Sequence, residues 1–390
     1  MTDRLAETTR AVRAGLETDE TTGAVVPPIH LTSTFAFHKF GEKRKYDYTR
    51  SGNPTRDLLA DALADLEGGA GAVVTATGMA AITVVGHLLP AGSRIVAAHD
   101  CYGGTFRLFS AWQRRGEMKV DFVDFGDAAA VDAALSRPCA LLWIETPSNP
   151  LLRISDIAAL AARGRKAGAL VAVDNTFLSP AWQQPIALGA DLVVHSTTKY
   201  LNGHSDVVGG AVVAKTAEHA EQLTWWANCL GLTGSPFDSF LTLRGVRTLH
   251  ARLAIHERNA QGLAEWLSRE TGVAKVYYPG LATHPGHDIA KRQQRGFGAM
   301  VSIELAGGTA AVRRFVDGLE LFSLAESLGG VESLVAHPAT MTHVSMGPEA
   351  RRAAGIGDGL LRLSVGLEDE ADLLDGLAAG LAAAAQAGSR

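Results

Sequence analysis

The run Ser196-Thr197-Thr198-Lys199-Tyr200 sets a single lysine among hydroxyls, directly after the apolar segment Asp191–His195. A lysine leaving a buried strand is not an ordinary solvated cation. With a depressed pKa its amine is a Schiff-base nucleophile. Hydroxyls beside a helix start suit a phosphate. One segment earlier, Asp174-Asn175-Thr176 ends the apolar run Ala169–Val173. A carboxylate there suits a protonated ring nitrogen, although in isolation it equally caps a loop. Thr77-Gly78-Met79-Ala80 follows Ala72–Thr75 and opens a helix, as a phosphate cradle or as a plain strand-to-helix turn. Tyr102 follows Arg94–Ala98, as a ring-stacking platform or as an ordinary core or surface tyrosine. Glu145-Thr146-Pro147-Ser148-Asn149-Pro150 follows Ala140–Ile144 as a rigid polar turn.

None of these elements is specific alone. The ordered set is stronger, because each member stands at a strand end. Ligands of open α/β sheets bind there. An imine lysine, an acid for a ring nitrogen, a phosphate cup and a ring stacker are the parts that pyridoxal phosphate requires.

The elements that must position these groups read as strands alternating with helices. The helix-periodic stretch from Thr55 through Leu58, Leu59, Ala62, Leu63 and Leu66 ends at Gly68-Gly69. Short Val- and Ile-rich runs follow, at 72–75, 94–98, 120–123, 140–144, 169–173, 191–195 and 211–214. Helical patterns separate several of them, at Met79–Leu89, Gly104–Arg115 and Ile154–Ala167. This alternation predicts a mostly parallel α/β sheet buried on both faces. Before it, residues 1–55 lack a core of their own: prolines keep Val25–Ile29 extended, and Tyr46–Pro54 is a polar, aromatic loop. Such an arm packs onto something else. A long helical stretch from about Pro236 to Leu267 leads into a smaller C-terminal α/β domain. That domain has strand candidates Val276–Tyr278, Met300–Leu305 and Leu360–Val365 and a last alanine-rich helix. The expected division is an arm over 1–55, a cofactor domain over 56–245 and a C-terminal domain over 246–390.

Composition removes several alternatives. Hydrophobic residues make up 47% of the 390, enough apolar surface to exclude disorder for the bulk of the chain. The net charge is −5 and the longest basic run is Lys43-Arg44-Lys45, so neither nucleic acid nor an anionic membrane is the expected partner. Cys101, Cys139 and Cys229 form no CxxC pair, which fits a reducing compartment. The polar N-terminus has no apolar signal-peptide core, and no apolar stretch is long enough for a membrane helix. These features predict a cytoplasmic protein. A nicotinamide site would need G-x-G-x-x-G after the first strand; Gly69-Ala70-Gly71-Ala72-Val73-Val74 lacks the last glycine and precedes its strand. His284 with His287, and His250 with His256, have no matching third ligand, so no metal site is expected.

The chain resembles the Cys/Met-metabolism family of pyridoxal-phosphate enzymes. The likeness runs from Val26-Pro27-Pro28-Ile29-His30 to Leu361-Arg362-Leu363-Ser364. It is most specific from Asp174-Asn175-Thr176-Phe177 through Ser196-Thr197-Thr198-Lys199-Tyr200-Leu201-Asn202-Gly203-His204-Ser205-Asp206. It implies the fold type I transferase architecture, like that of aspartate aminotransferase, with a seven-stranded, mostly parallel sheet. It also implies that Lys199 binds the cofactor and moves protons, that Asp174 pairs with the ring nitrogen and that Tyr102 stacks on the ring. Gly78, Met79, Ser196 and Thr198 would cradle the phosphate, and Asn149 would approach the ring hydroxyl. Tyr48 and Arg50 resemble the pair that the family donates across a dimer interface, which implies active dimers and commonly a homotetramer. Arg362 would clamp the substrate α-carboxylate, where a planar fork serves better than lysine. Ser327 would sit beside it.

Within the family, the likeness is greatest to the γ-synthase branch, which joins O-succinylhomoserine or O-acetylhomoserine to cysteine to make cystathionine for methionine biosynthesis. Trp225-Trp226-Ala227-Asn228 and Gln293–Met300 carry this. Glu326 resembles the acid that γ-synthases and γ-lyases place near the distal amine. Arg107 either meets a distal carboxylate or is a solvated helix arginine. Ser51 stands where some synthases carry a second arginine, leaving the acyl preference open. The cofactor motifs do not separate a synthase from a cystathionine γ-lyase, a β-lyase, an O-acylhomoserine sulfhydrylase or a methionine γ-lyase.

Overall fold

The structure is a computed structural model that describes residues 5–386. Seven strands form the larger sheet: β1 (Gly71–Thr75), β2 (Arg94–Ala98), β3 (Lys119–Val123), β4 (Leu141–Glu145), β5 (Leu170–Asp174), β6 (Leu192–His195) and β7 (Gly210–Ala214). Their order is β1-β7-β6-β5-β4-β2-β3. β2 runs parallel to β3 and β5 parallel to β6, whereas β7 is antiparallel to both β1 and β6. Every residue of β4, β6 and β7 is buried. Their unbroken apolar runs are therefore those of a sheet covered on both faces. The α/β class and the mostly parallel sheet agree with the pattern in the sequence.

The chain divides into two compact units. Met1–Ser93, Pro138–Trp143 and Ile157–His250 make up the first; Arg94–Arg137, Ile144–Asp156 and Ala251–Arg390 make up the second. The first contains β1, β5, β6 and β7. Its leading helix, Pro54–Glu67, starts where the Asn53 side chain accepts from the N–H groups of Thr55 and Arg56, and stops at Gly68 with φ 72°. Proline at the first helical position and a left-handed glycine after the last are the favoured terminators. Before that helix lie the short helix Glu7–Arg13 and an extended segment held by isolated bridges such as Thr34 with Tyr48. Leu31, Phe37 and Phe40 of this segment are exposed.

The second unit contains β2, β3 and a five-stranded sheet of β8 (Val273–Tyr277), β9 (Met300–Leu305), β10 (Ser323–Leu324), β11 (Leu334–Ala336) and β12 (Leu360–Ser364). Its order is β10-β11-β12-β9-β8, antiparallel except for β10 with β11. β8 starts three residues before the expected Val276, and a bulge near Val273 and Lys275 blurs its alternation. The expected helix from Pro236 to Leu267 is two, Pro236–Val246 and Leu249–Leu267. Among the described residues no helix is long and apolar enough to cross a membrane.

Candidate active site

In the first unit, β5 and β6 pair with Asp174 opposite Val194. Their carboxyl ends therefore lie side by side, and both carry polar groups. Asp174 is buried, and its carboxylate accepts the Thr176 N–H at 3.1 Å. Burial pushes its carboxyl above the ordinary range, opposed by the hydrogen bonds from Thr176 and by the nearby His195 imidazole. The Thr176 hydroxyl also accepts the Ser196 N–H at 2.9 Å. Thr176 thus ties the acid to the turn that carries the lysine. The sequence pointed to this segment without assigning Thr176 a role.

Lys199 is half-buried on that turn. Its N–H donates to the Ser196 carbonyl at 3.3 Å, and its own carbonyl accepts from Gly203 at 2.8 Å. The Thr198 hydroxyl exchanges hydrogen bonds with both backbone groups of Gly209, at 3.2 and 3.0 Å. The nine-residue helix Gly78–Gly86 begins beside Ser196 and is capped by the Thr77 side chain, which accepts from Ala80. A Cβ added at Gly78 would meet Ser196 Cβ at 2.9 Å, so only glycine permits this approach. The first N–H groups of that helix, at Gly78 and Met79, have no carbonyl partner within it. Tyr48 and Arg50 are exposed; Arg50 Nε donates to Asn228 Oδ1 at 3.0 Å, with its guanidinium 5.6 Å from the Tyr48 ring centre.

The second unit gathers another set. Tyr102 precedes the helix Gly103–Arg114, is 41% exposed, and donates its N–H to Glu145 Oε2 at 2.7 Å. Its phenol pKa is raised by burial; Arg107 and Arg362 act to lower it, Glu326 and Glu145 to raise it. Tyr102, Arg107, Glu326 and Arg362 therefore share one electrostatic neighbourhood, as one substrate site requires. Arg362, buried on β12, donates from Nη1 to Asn149 Oδ1 at 2.9 Å and from Nη2 to the Ser327 carbonyl at 2.8 Å. Ser327 has φ 131°, a region that side chains rarely adopt, so its carbonyl is aimed at some conformational cost. The sequence did not single out His343. Its buried ring donates from Nε2 to the Asn149 carbonyl at 3.0 Å. Arg107 and Glu326 are exposed.

The first-unit groups fit pyridoxal phosphate. Asp174 is a buried carboxyl whose ionisation burial resists, and a protonated ring nitrogen would supply the missing positive charge. Gly78 leaves the helix start open beside the Ser196 hydroxyl, as an anionic phosphate needs.

The family model described as "Cys/Met metabolism PLP-dependent enzyme" matches residues 8–382. Cystathionine gamma-synthase of Escherichia coli (strain K12) is 57% identical, over 97% of this chain and 98% of that one. Cystathionine beta-lyase of Lactococcus lactis subsp. cremoris (strain MG1363) is 48% identical, over 94% of this chain and 96% of that one. The crystal structure of cystathionine gamma synthase from Xanthomonas oryzae pv. oryzae, in complex with cystathionine, superposes with a TM-score of 0.97 at 61% identity, covering 98% of this chain and 99% of that one. The chain is an enzyme of the Cys/Met metabolism PLP-dependent family.

Proposed function

We propose that this enzyme is a γ-synthase that joins an O-acylhomoserine to L-cysteine, giving cystathionine and the free acid. The Cγ–O bond breaks and a Cγ–S bond forms, and the acyl carboxylate leaves as the thiol gives up its proton. The observation that carries this reading is the near-full-length identity of 57% to a cystathionine gamma-synthase, with 61% to one solved with cystathionine bound.

When bound, pyridoxal phosphate supplies an electron sink for charge developing at Cα. The chain supplies the rest. Lys199 holds the cofactor and then moves protons at Cα and Cβ, since its amine can both accept and donate them. Asp174 holds the ring nitrogen proton, Tyr102 stacks on the ring, and Asn149 approaches its hydroxyl. Ser196, Thr198 and the N–H groups of Gly78 and Met79 take the phosphate. Arg362, with its plane fixed by Asn149 and Ser327, clamps the α-carboxylate. Glu326 receives the distal amine and Arg107 a distal carboxylate. Arm residues 1–55, through Tyr48 and Arg50, complete the phosphate site of a second copy. Active dimers then pair into tetramers, and residues 56–245 and 246–390 form the cofactor and C-terminal domains.

The 48% identity to a cystathionine beta-lyase supports a second reading, cleavage of cystathionine. A product assay separates them. O-succinylhomoserine or O-acetylhomoserine with cysteine should yield cystathionine, and cystathionine alone should be left largely intact. Pyruvate and homocysteine from cystathionine would mean a β-lyase; 2-oxobutanoate and cysteine would mean a γ-lyase.

A further inference from the structure

Four side chains in the first unit form a polar network with almost no access to solvent. Glu67, the last residue of the helix Pro54–Glu67, is 1% exposed; Asn175 is 0%, Gln183 1% and His195 0%. His195 Nε2 donates to Glu67 Oε1 at 2.7 Å. Asn175 Nδ2 donates to the same oxygen at 2.9 Å and to the Gln183 carbonyl at 2.9 Å. Gln183 Nε2 donates back to Asn175 Oδ1 at 3.0 Å. Glu67 Oε2 and His195 Nδ1 are buried without a hydrogen-bond partner. A buried carboxylate–imidazole pair is a poor way to stabilise a core, because desolvation consumes most of the attraction. Its place in the chain suggests another use. Asn175 immediately follows Asp174, and His195 immediately precedes Ser196. The Asn175 N–H also donates to the Val194 carbonyl at 2.9 Å, so one network grips both strand ends.

We propose that Glu67, His195 and Asn175 are positioning residues that lock Asp174 and the Ser196–Lys199 turn in register, so that the Asp174 carboxylate meets the cofactor's ring nitrogen. None of the three need touch the cofactor. Glu67 works through Asn175 on one strand and through His195 on the other, and removing it releases both. The His195 imidazole neighbours Asp174 and acts on its carboxyl in the direction that favours the ionised form. The inference rests on the cofactor reading of Asp174.

The test uses cofactor-stripped enzyme titrated with pyridoxal phosphate, then reloaded with ring-15N-labelled cofactor for solid-state NMR. Glu67→Ala and His195→Ala should weaken the cofactor Kd about tenfold or more, the loss typical of a hydrogen bond to a charged group. They should also move the ring-nitrogen shift toward the unprotonated value. Glu67→Gln, which keeps an acceptor for both partners, should restore most of each. Parental Kd and shift with only a lower melting temperature would overturn the proposal. A weaker Kd with an unmoved shift would overturn the link to Asp174. If the alanine variants fail to fold, His195→Gln is read by the same two outcomes. If the parent shows no protonated ring nitrogen, the assignment of Asp174 fails instead, and the inference with it.

Discussion

Arg362 Nη1 and Asn149 Oδ1 are 2.9 Å apart, although 213 residues separate them in the chain. Both are buried, so the bond is shielded from water. A bidentate guanidinium is useful only if its plane is fixed, and this bond and the one to Ser327 fix it. Asn149→Ala should therefore raise KM for the amino-acid substrate at least tenfold, with a smaller change in kcat. A hydrogen bond to a charged group contributes about 1.5–3 kcal/mol, which sets that scale. Arg362→Lys should do at least as much, because an ammonium cannot reproduce the fork. Steady-state kinetics with unchanged KM would remove Arg362 from the carboxylate site.

His343 acts one step further out. It holds the Asn149 carbonyl at 3.0 Å while the Asn149 side chain holds Arg362. His343→Ala should raise KM by a few-fold and weaken the cofactor Kd by less, since Asn149 serves both Arg362 and the cofactor's ring hydroxyl in the proposed reading. A change in cofactor affinity as large as that in KM would place His343 on a different path.

Acid should destabilise the folded enzyme over a defined window. His256, His284 and His343 are each pushed down from 6.5 to about 4, first by burial. Between those values the unfolded chain binds more protons than the folded one. Stability is thus complete above pH 6.5 and falls as pH drops toward 4. Each group contributes up to roughly 3 kcal/mol at 1.36 kcal/mol per pH unit. Asp61 and Glu304 act in the opposite sense, because burial raises their carboxyls. The melting temperature should fall between pH 6.5 and 4.5. In His284→Asn, which keeps an acceptor for the Gly286 N–H, it should fall less. A flat profile would mean that these rings are hydrated or protonated in the folded enzyme.

The strand-end placement of Asp174 and of the turn that carries Ser196 and Lys199 was legible, because unbroken apolar runs lead into each. Apolar runs place Asp174, Ser196 and Lys199 at sheet ends without any coordinates. The hydrogen bonds between side chains far apart in the chain were not legible. Glu67 and His195 are 128 residues apart and His343 and Asn149 194 apart, and spacing alone pairs neither. The break between Pro236–Val246 and Leu249–Leu267 was hidden for a similar reason. Gly245, near that break, packs where an added Cβ would lie 2.2 Å from the Asn202 carbonyl oxygen, a tertiary contact with no helical signal. β10 is two exposed residues, too short for any alternation to register.

Gly78→Ala sets helix propensity against packing. Alanine in a helix is favoured over glycine by about 1 kcal/mol. Here its Cβ would stand 2.9 Å from Ser196 Cβ and 3.1 Å from Ser196 Cα, and neither is the end of a flexible side chain. Overpacking of that kind costs about 1–3 kcal/mol. The collision should win, shifting Ser196 and weakening the cofactor Kd. A parental Kd together with a higher melting temperature would show that the turn yields.

Arg50 carries the claim that a second copy completes the site. Within its own chain it bonds Asn228 and packs near the Tyr48 ring, on an arm whose Leu31, Phe37 and Phe40 are exposed. Arg50→Ala should lower cofactor retention although Lys199 is intact. Mixed dimers of Arg50→Ala with Lys199→Ala decide where it acts. If Arg50 serves the partner's phosphate, each such dimer has one site with both defects and one with neither, and about half the activity per dimer survives. If Arg50 serves its own chain, each of the two sites carries one defect. Activity should then fall to that of an Arg50→Ala site alone, and the arm would have no part in the partner's phosphate site.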